Sequence, residues 1–515
     1  MVHKFLITGV CLALIPALYV GCSSTDCSTS GTCGGADVDG SVPGEGGKTD
    51  GGNQVTDGMV NPEGGNTVDA PPGCDPKTAP TNAACVTDAI GIFVDAAGAD
   101  SNPGTKGSPV ATITHAISLA TAQKAIIFVC DGNYAEHVSV STKVELFGGF
   151  TCKTWASNAN RPVVKPSDPG YALDVQNVTS SALGSAFIRV SNIEFAAADG
   201  SAASPNSIAA RTLKSNVHFN NVKLVGGVGH DGNAGSPGSP GMVSNIANIV
   251  TINGEDASGA KSMAGPPKSC ICTSGGTSSG GAGGGTNGDG QKGAPSIAEN
   301  PPGNDGVGGA GMGTSTTCVG HVGASAADAA NATSISTSGL VLADEWAPSA
   351  GSAGAAGGPG QGGGGGGGRA GFGGGGACGG CGSTGSKGGT GGGASAGLLS
   401  LDSLVSFANS VISAGTAGHG GAGGAAVAGA GGGTGGGGAS GGCGAGDGGN
   451  GGKGGAGGGG AGGSSIGVIY RGTKPVRGSD TMVSTTDTTG NKGIGGAAVA
   501  NDGPDGARAD ELPAQ

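Results

Sequence analysis

Glycine makes up 120 of the 515 residues and is concentrated in blocks that interrupt a β-patterned chain whose flanks still match each other. Residues 207–221 read SIAARTLKSNVHFNN and residues 395–409 read SAGLLSLDSLVSFAN, a gap-free correspondence at a spacing of 188. Such a pair implies a repetitive scaffold with the intervening chain inserted into it. Glycine has no side chain to bury and loses the most backbone entropy on ordering, so the blocks at 226–245, 253–394 and 414–463 exclude a hydrophobic core. Two states are open to them. They are disordered loops, or they are extended three-residue-per-turn strands that pair laterally because no side chain keeps the backbones apart. Collagen is excluded, because the triplet period running from Gly232 to Gly241 fails after Met242.

The scaffold shows its own period. Ile188-x-Val190-x-Asn192-Ile193-x-Phe195 recurs 29 residues later as Val217-x-Phe219-x-Asn221-Val222-x-Leu224, and Val405-x-Phe407-x-Asn409 is a third copy. Alternation at period two turns one set of side chains inward, and the shared Asn suits a corner between two strands of a coil. Ser465-Ile-Gly-Val-Ile-Tyr470 matches the start of the 207–221 segment, so a coil resumes after the last glycine block. Upstream, Ile92-Phe93-Val94 reads as a strand. Thr112 caps a helix with Ile113, Ala116, Ile117 and Ala120 on one face, and strands follow at 125–130, 138–140 and 144–147. Phe93, Phe128, Phe147, Phe150, Phe187, Phe195 and Phe219 lie in this one stretch, which limits the chain to one core.

The run DSNPGTKGSPVATITHAISLA followed by IIFVCDGNYAEHVSVSTKVELFGGF resembles the amino-terminal cap of the pectin-lyase-like right-handed parallel β-helix proteins. The residues that carry the resemblance are Asp100 to Thr105, the pairs Thr112-Ile113 and Ala116-Ile117, and Gly132, Tyr134 and Glu136. A stack of coils ends in an apolar disc and an open strand edge, and the short helix covers both. The resemblance implies an all-β fold: a right-handed parallel β-helix with a short N-terminal capping helix, interrupted by long glycine-rich segments. The Gly-Gly-Ala triplets at 420–463 resemble the PGRS-type glycine-rich proteins of bacterial surfaces.

Lys4, an apolar run from Phe5 to Leu18, and Leu18-Tyr19-Val20-Gly21-Cys22 resemble the bacterial lipoprotein signal, which implies lipidation at Cys22 and, with Ser23 next, an outer-membrane or surface address. The expected organisation is a signal over 1–21, an acidic Gly/Ser/Pro-rich tether over 22–88 that cannot bury enough surface to fold, and a capped β-helix over 89–225. A glycine-rich insertion over 226–394, a coil over 395–414, a second glycine-rich segment over 415–463, and a final coil with a loose tail over 464–515 complete it. Setting aside Cys11 and Cys22, the other cysteines suit an oxidising compartment. Cys27 with Cys33, Cys74 with Cys85 and Cys130 with Cys152 are the local pairs. The last two residues are 22 apart, about one coil, so they fall above one another.

Formal net charge of −12 excludes nucleic acid as a partner. Cys378-Gly-Gly-Cys381, with Cys270, Cys272, Cys318 and Cys443 in the same glycine-rich region, reads as disulfide staples rather than a zinc or redox site. Gly226-Gly-Val-Gly-His230-Asp231 starts like a calcium nonapeptide but has Asn233 where a large apolar residue is required. Gly290-Gln-Lys-Gly293 lacks the hydroxyl residue of a phosphate loop. His218, His321 and His419 stand singly.

Relatives of such β-helices include polysaccharide lyases and hydrolases, which need paired carboxylates or a base beside a cation. Asp131 and Glu136, beside His137 and Lys143, are the candidates, but they sit in the cap motif. The sequence therefore points to an exported, lipid-anchored protein of structural or interaction type. It carries no catalytic residue, cofactor or metal, and its partners are the membrane and polysaccharide or other envelope components. The alternative is a carbohydrate-binding or carbohydrate-cleaving β-helix.

Overall fold

The computed structural model describes residues 71–75, 82–243, 252–297, 305–312, 316–486, 488–497 and 501–514. Its chain winds as a parallel β-helix of three walls. An entry strand β1 (Gly91–Val94) and the helix α1 (Ile113–Leu119) precede the coils. The first coil is β2 (Ile126–Cys130), β3 (Asn133–Tyr134) and β4 (Val138–Val140). The second is β5 (Glu145–Phe150), β6 (Val163–Val164) and β7 (Leu173–Gln176). The third is β8 (Ile188–Ser191), β9 (Glu194–Ala196) and β10 (Ser207–Leu213).

The fourth coil begins with β11 (Asn216–Asn220) and β12 (Lys223–Val225) and then leaves the stack. Among its described residues this excursion carries two hairpins, β13 (Ser269–Ile271) with β14 (Thr277–Ser279) and β15 (Gly339–Leu342) with β16 (Glu345–Pro348). It returns in β17 (Ser395–Leu401). The fifth coil is β18 (Leu404–Ala408), β19 (Val411–Ala414) and β20 (Ser465–Arg471), and the sixth is β21 (Val476–Arg477), β22 (Met482–Thr485) and β23 (Arg508–Pro513). The first wall is β1-β2-β5-β8-β11-β18-β21, the second β3-β6-β9-β12-β19-β22 and the third β4-β7-β10-β17-β20-β23.

The 188-residue repeat is strand register. Ser207 pairs with Ser395 and Leu213 with Leu401, while Val217 pairs with Val405 and Phe219 with Phe407. Two corners are tight in the third to fifth coils and turn on one residue in the left-handed region, where Asn and Gly are tolerated best, while the second coil carries loops at 151–162 and 178–187. Asn192, Asn221 and Asn409 make the first corner at φ of 57, 54 and 50°, and Asn177, Lys214, Asp402 and Gly472 make the second. The third corner is open, and every glycine-rich excursion leaves from it. A stack of serines fastens the departures: Ser207 Oγ accepts the Gly227 N–H at 2.8 Å, Ser395 Oγ accepts the Gly415 N–H at 2.7 Å, and Ser465 Oγ donates to the Gly415 carbonyl at 3.0 Å.

Inside the coils, Tyr134, Val164, Phe195, Leu224, Ile412 and Val483 form one column on the second wall. Residues beyond Thr481, expected to be loose, instead supply the last strands of the second and third walls.

The outer face of the third wall is apolar where the β15–β16 hairpin covers it. Val341 and Trp346 pack on Ile208, Leu399, Leu401, Ile466 and Ile469, which is why β17 is buried on both faces instead of alternating. Two arginines clamp the hairpin: Arg211 pairs with Asp174 at 2.8 Å and with Glu345, and Arg471 pairs with Asp344 and Asp402, each at 2.7 Å.

The described residues of the glycine blocks are ordered, in the second of the two states open to them. Their backbones run extended and bond to neighbours at every third residue, the period of a three-residue turn. Gly351, Gly354, Gly357 and Gly360 donate to the carbonyls of Gly389, Ser386, Ser383 and Gly380 at 2.9–3.0 Å, and Gly229, Gly232 and Gly235 donate to Thr416, His419 and Ala422. A helix of this kind has no internal hydrogen bonds, so lateral neighbours must satisfy its donors.

Close approach explains the composition. A Cβ on Gly229, Gly232, Gly235, Gly238 or Gly241 would lie 2.0–2.1 Å from the carbonyl oxygen of Gly393, Thr390, Lys387, Thr384 or Cys381, an antiparallel contact recurring every third residue. Residues 361–368 are buried throughout, and glycine there is continuous because successive residues face different neighbours. Gly362 and Gly365 abut Ser279 and Ala282, Gly364 and Gly367 abut Val307 and Ala310, and Gly363 and Gly366 abut Gly446 and Cys443. Triplet glycine marks a segment packed closely on one side, and unbroken glycine marks a segment surrounded on all sides. Gln361, fully buried at the head of this run, accepts the Ala324 N–H at 3.1 Å and donates to the Gly293 carbonyl at 3.2 Å.

Candidate functional site

The residues singled out by the cap motif converge on the start of α1. A helix leaves its first amides without partners, and carboxylates favour that end. Glu136 accepts the Ile113 and Thr114 N–H groups at 2.8 and 2.9 Å. Asp100 accepts the Ala111 and Thr112 N–H groups at 2.9 and 3.0 Å, and Thr112 Oγ accepts the His115 N–H at 3.1 Å. Tyr134 is buried with its hydroxyl donating to the Cys130 carbonyl at 2.9 Å, and burial pushes that hydroxyl's pKa well above the usual phenol range. Glu136 thus holds the lid in place, and Tyr134 begins the inner column of the second wall.

Asp131 looks elsewhere. Its Oδ2 accepts from the side-chain amides of Asn158 at 2.7 Å and Asn160 at 3.2 Å. His137 Nδ1 lies 2.8 Å from the Tyr171 carbonyl, with Nε2 3.3 Å from Asp168. Lys143 lines a hollow of about 450 Å³ with Thr121 and Ser181. The two candidate carboxylates are therefore committed to different neighbours, Asp131 to the 151–160 loop and Glu136 to α1.

Beside the cap lies a cleft of about 420 Å³, lined by Asp95, Asn102, Lys106, Ser108, Lys153 and Trp155. One wall is the loop held by the Cys130–Cys152 disulfide, whose Lys153 and Trp155 sit at φ of 70 and 56°. Trp155 packs edge-on against Phe93 at 4.6 Å and donates its Nε1–H to the Lys106 carbonyl at 3.2 Å. With two ammonium groups, one carboxylate and a hydroxyl, the cleft can hold a polar solute. Asp95, Cys130 and Cys152 come within ligand distance of one another, but the two sulfurs are joined to each other and are not thiolate ligands.

A second polar array, which the sequence did not disclose, runs up the outer face of the first wall. Glu145, Arg189, His218 and Ser406 lie along one line across β5, β8, β11 and β18, with Arg189 opposite His218 and His218 opposite Ser406. Glu145 is fully buried, pairs with Arg189 at 3.0 Å and accepts from Ser181 Oγ; burial raises its pKa against the pull of Arg189. His218 Nδ1 is 2.8 Å from Ser406 Oγ, and burial followed by the Arg189 charge lowers its pKa. A serine beside a neutral imidazole has half of a nucleophile–base relay. The group on the far side of this imidazole is a cation, where a relay needs a carboxylate to orient the ring.

Residues 96–261 match the family described as protein of unknown function (DUF1565). The matched stretch takes in α1, the cleft residues from Asn102 onward, the first three coils and the start of the first excursion, so the cap and the polar column both fall largely within it. No curated protein and no solved structure matches the chain.

All ten described cysteines are paired. Cys74 joins Cys85 and Cys130 joins Cys152, while Cys22, Cys27 and Cys33 lie outside the described residues. Cys270 joins Cys378, Cys272 joins Cys381 and Cys318 joins Cys443, each pair tying together two segments of the glycine slab. Asp231, at the start of the calcium-like run, accepts the His419 N–H at 2.6 Å. His419 Nδ1 in turn accepts the Asn491 N–H at 2.9 Å, so this histidine too serves packing between excursions.

Proposed function

We propose that the protein is an exported cell-envelope protein of structural or interaction type, anchored through lipid on Cys22 and without catalytic activity. The observation that carries this reading is the slab itself. Three disulfides lock a body built from glycine backbones, which suits an oxidising compartment outside the cytoplasm. A β-helix lends a rigid, elongated frame, and the excursions add a second rigid body to one corner of it. The resemblances to pectin-lyase-like β-helices, to PGRS-type surface proteins and to lipoprotein signals belong to the same proposal. In the cap, Glu136 and Asp100 hold α1 in place, which gives them a structural use.

Radiolabelled palmitate and protease shaving of intact cells test the proposal together. Label is expected in the parent and absent from Cys22→Ser, with the folded body released by external protease cutting the tether. Label that persists in Cys22→Ser, or a body inaccessible to protease on intact cells, would contradict it.

A further inference from the structure

The apolar columns inside the coils change chemistry at the sixth coil. On the first wall Leu146, Val190, Phe219 and Phe407 follow one another in register, and the next residue in line is Arg477. On the third wall Leu173, Ala210, Leu398 and Val468 follow one another, and the next is Glu511. The two replacements meet: Arg477 Nε is 2.7 Å from Glu511 Oε1, and Lys474 Nζ is 2.6 Å from Glu511 Oε2.

We propose that this ion cluster is a stop, closing the open end of the stack against a second copy of the same chain. A terminal coil presents unpaired strand edges over an apolar disc, and two such ends brought together by a two-fold axis bury both discs and pair both edges. The edge of β22 is poorly guarded, since Met-Val-Ser-Thr carries no charge and Met482 is exposed. Protection therefore falls to the lumen. Stacking a second end there would strip water from Arg477, Lys474 and Glu511, a desolvation that an apolar contact does not repay. The side chains of Arg477 and Glu511 are 30% and 11% exposed, so the pair still reaches water, and an ion pair of that kind adds little to folding. Exclusion, rather than stability, is what the cluster supplies. At the opposite end α1 performs the same service with a helix.

The full chain carrying Arg477→Leu, Lys474→Leu and Glu511→Leu tests this. Light scattering over a wide concentration range should find the parent monomeric and the triple variant doubling in mass, with β content by circular dichroism unchanged. A parent that dimerises, or a folded triple variant that stays monomeric, overturns the proposal. If the leucine variant does not fold, Arg477→Met and Lys474→Met with Glu511→Gln removes the three charges at nearly constant shape and must dimerise instead. Loss of fold in both would also overturn it, because the cluster would then be holding the coil together.

Discussion

Gly363→Ala is expected to unfold or severely loosen the slab, while Gly358→Ala, five residues earlier in the same extended segment, is expected to leave stability unchanged or raise it slightly. A Cβ on Gly363 would lie 2.0 Å from the Gly446 carbonyl oxygen and 2.4 Å from its carbon. The obstacle is backbone, held by its own bonds, and it cannot rotate away as a side chain could. Overpacking in a close-packed interior costs typically about 1–3 kcal/mol and more where nothing yields, so the upper end or beyond applies here. At Gly358 the nearest atom is the Ala326 Cβ at 4.0 Å and φ is not positive. Alanine there meets open space and removes freedom from the unfolded chain, a gain of about 0.4–1 kcal/mol. Thermal denaturation of the two variants should therefore move in opposite directions. Equal tolerance of alanine at both positions would mean that glycine is present for composition alone and that the lateral contacts do not hold.

The second large effect is expected at Phe219. Its ring is fully buried in the lumen and stacks on Phe407 with centroids 5.1 Å apart. That contact joins the fourth and fifth coils across the longest excursion, so it carries the register between two halves of the stack. Phe→Ala at such a site costs about 3–5 kcal/mol, from lost transfer energy and the cavity left behind. Leu404→Ala on the outside of the neighbouring strand, where the side chain is 44% exposed, should shift the denaturant midpoint little. A midpoint for Phe219→Ala close to that of the parent would place Phe219 outside any packed lumen.

Much of the frame was legible because its causes are local and periodic. The repeated Asn192, Asn221 and Asn409 each occupy a left-handed corner, and the apolar residues two apart in each copy face the lumen. Thr112 caps α1 as its position before the apolar stripe required. The slab was less legible, since a glycine records that something passes close by and not what it is. Triplet spacing at 232–241 reports close packing on one side, whereas the run 362–368 erases its own period by packing closely on several. The pairs Cys270–Cys378 and Cys318–Cys443 are separated by 108 and 125 residues of chain with no repeat to align them.

The polar column was hidden by loop length. Glu145 and Arg189 sit one coil apart but 44 residues apart in sequence, so the 29-residue spacing that aligns Arg189 with His218 does not reach Glu145. The strands of the last coil are hard to recognise in the sequence because Met482–Thr485 and Arg508–Pro513 lack the apolar alternation of the earlier strands. As the end of the stack, these strands have only one neighbouring coil to face.

The central claim is that glycine backbones, packed side by side at a three-residue period, form a body as ordered as the coils. Amide hydrogen exchange on the intact, oxidised chain measures this directly, because a donor held by a neighbouring carbonyl exchanges only when that contact opens. Peptides covering 354–368 and 374–393 should be protected to the same extent as those covering β17 and β18. Exchange of the glycine peptides at the rate of an unstructured chain, with the coils still protected, would contradict it.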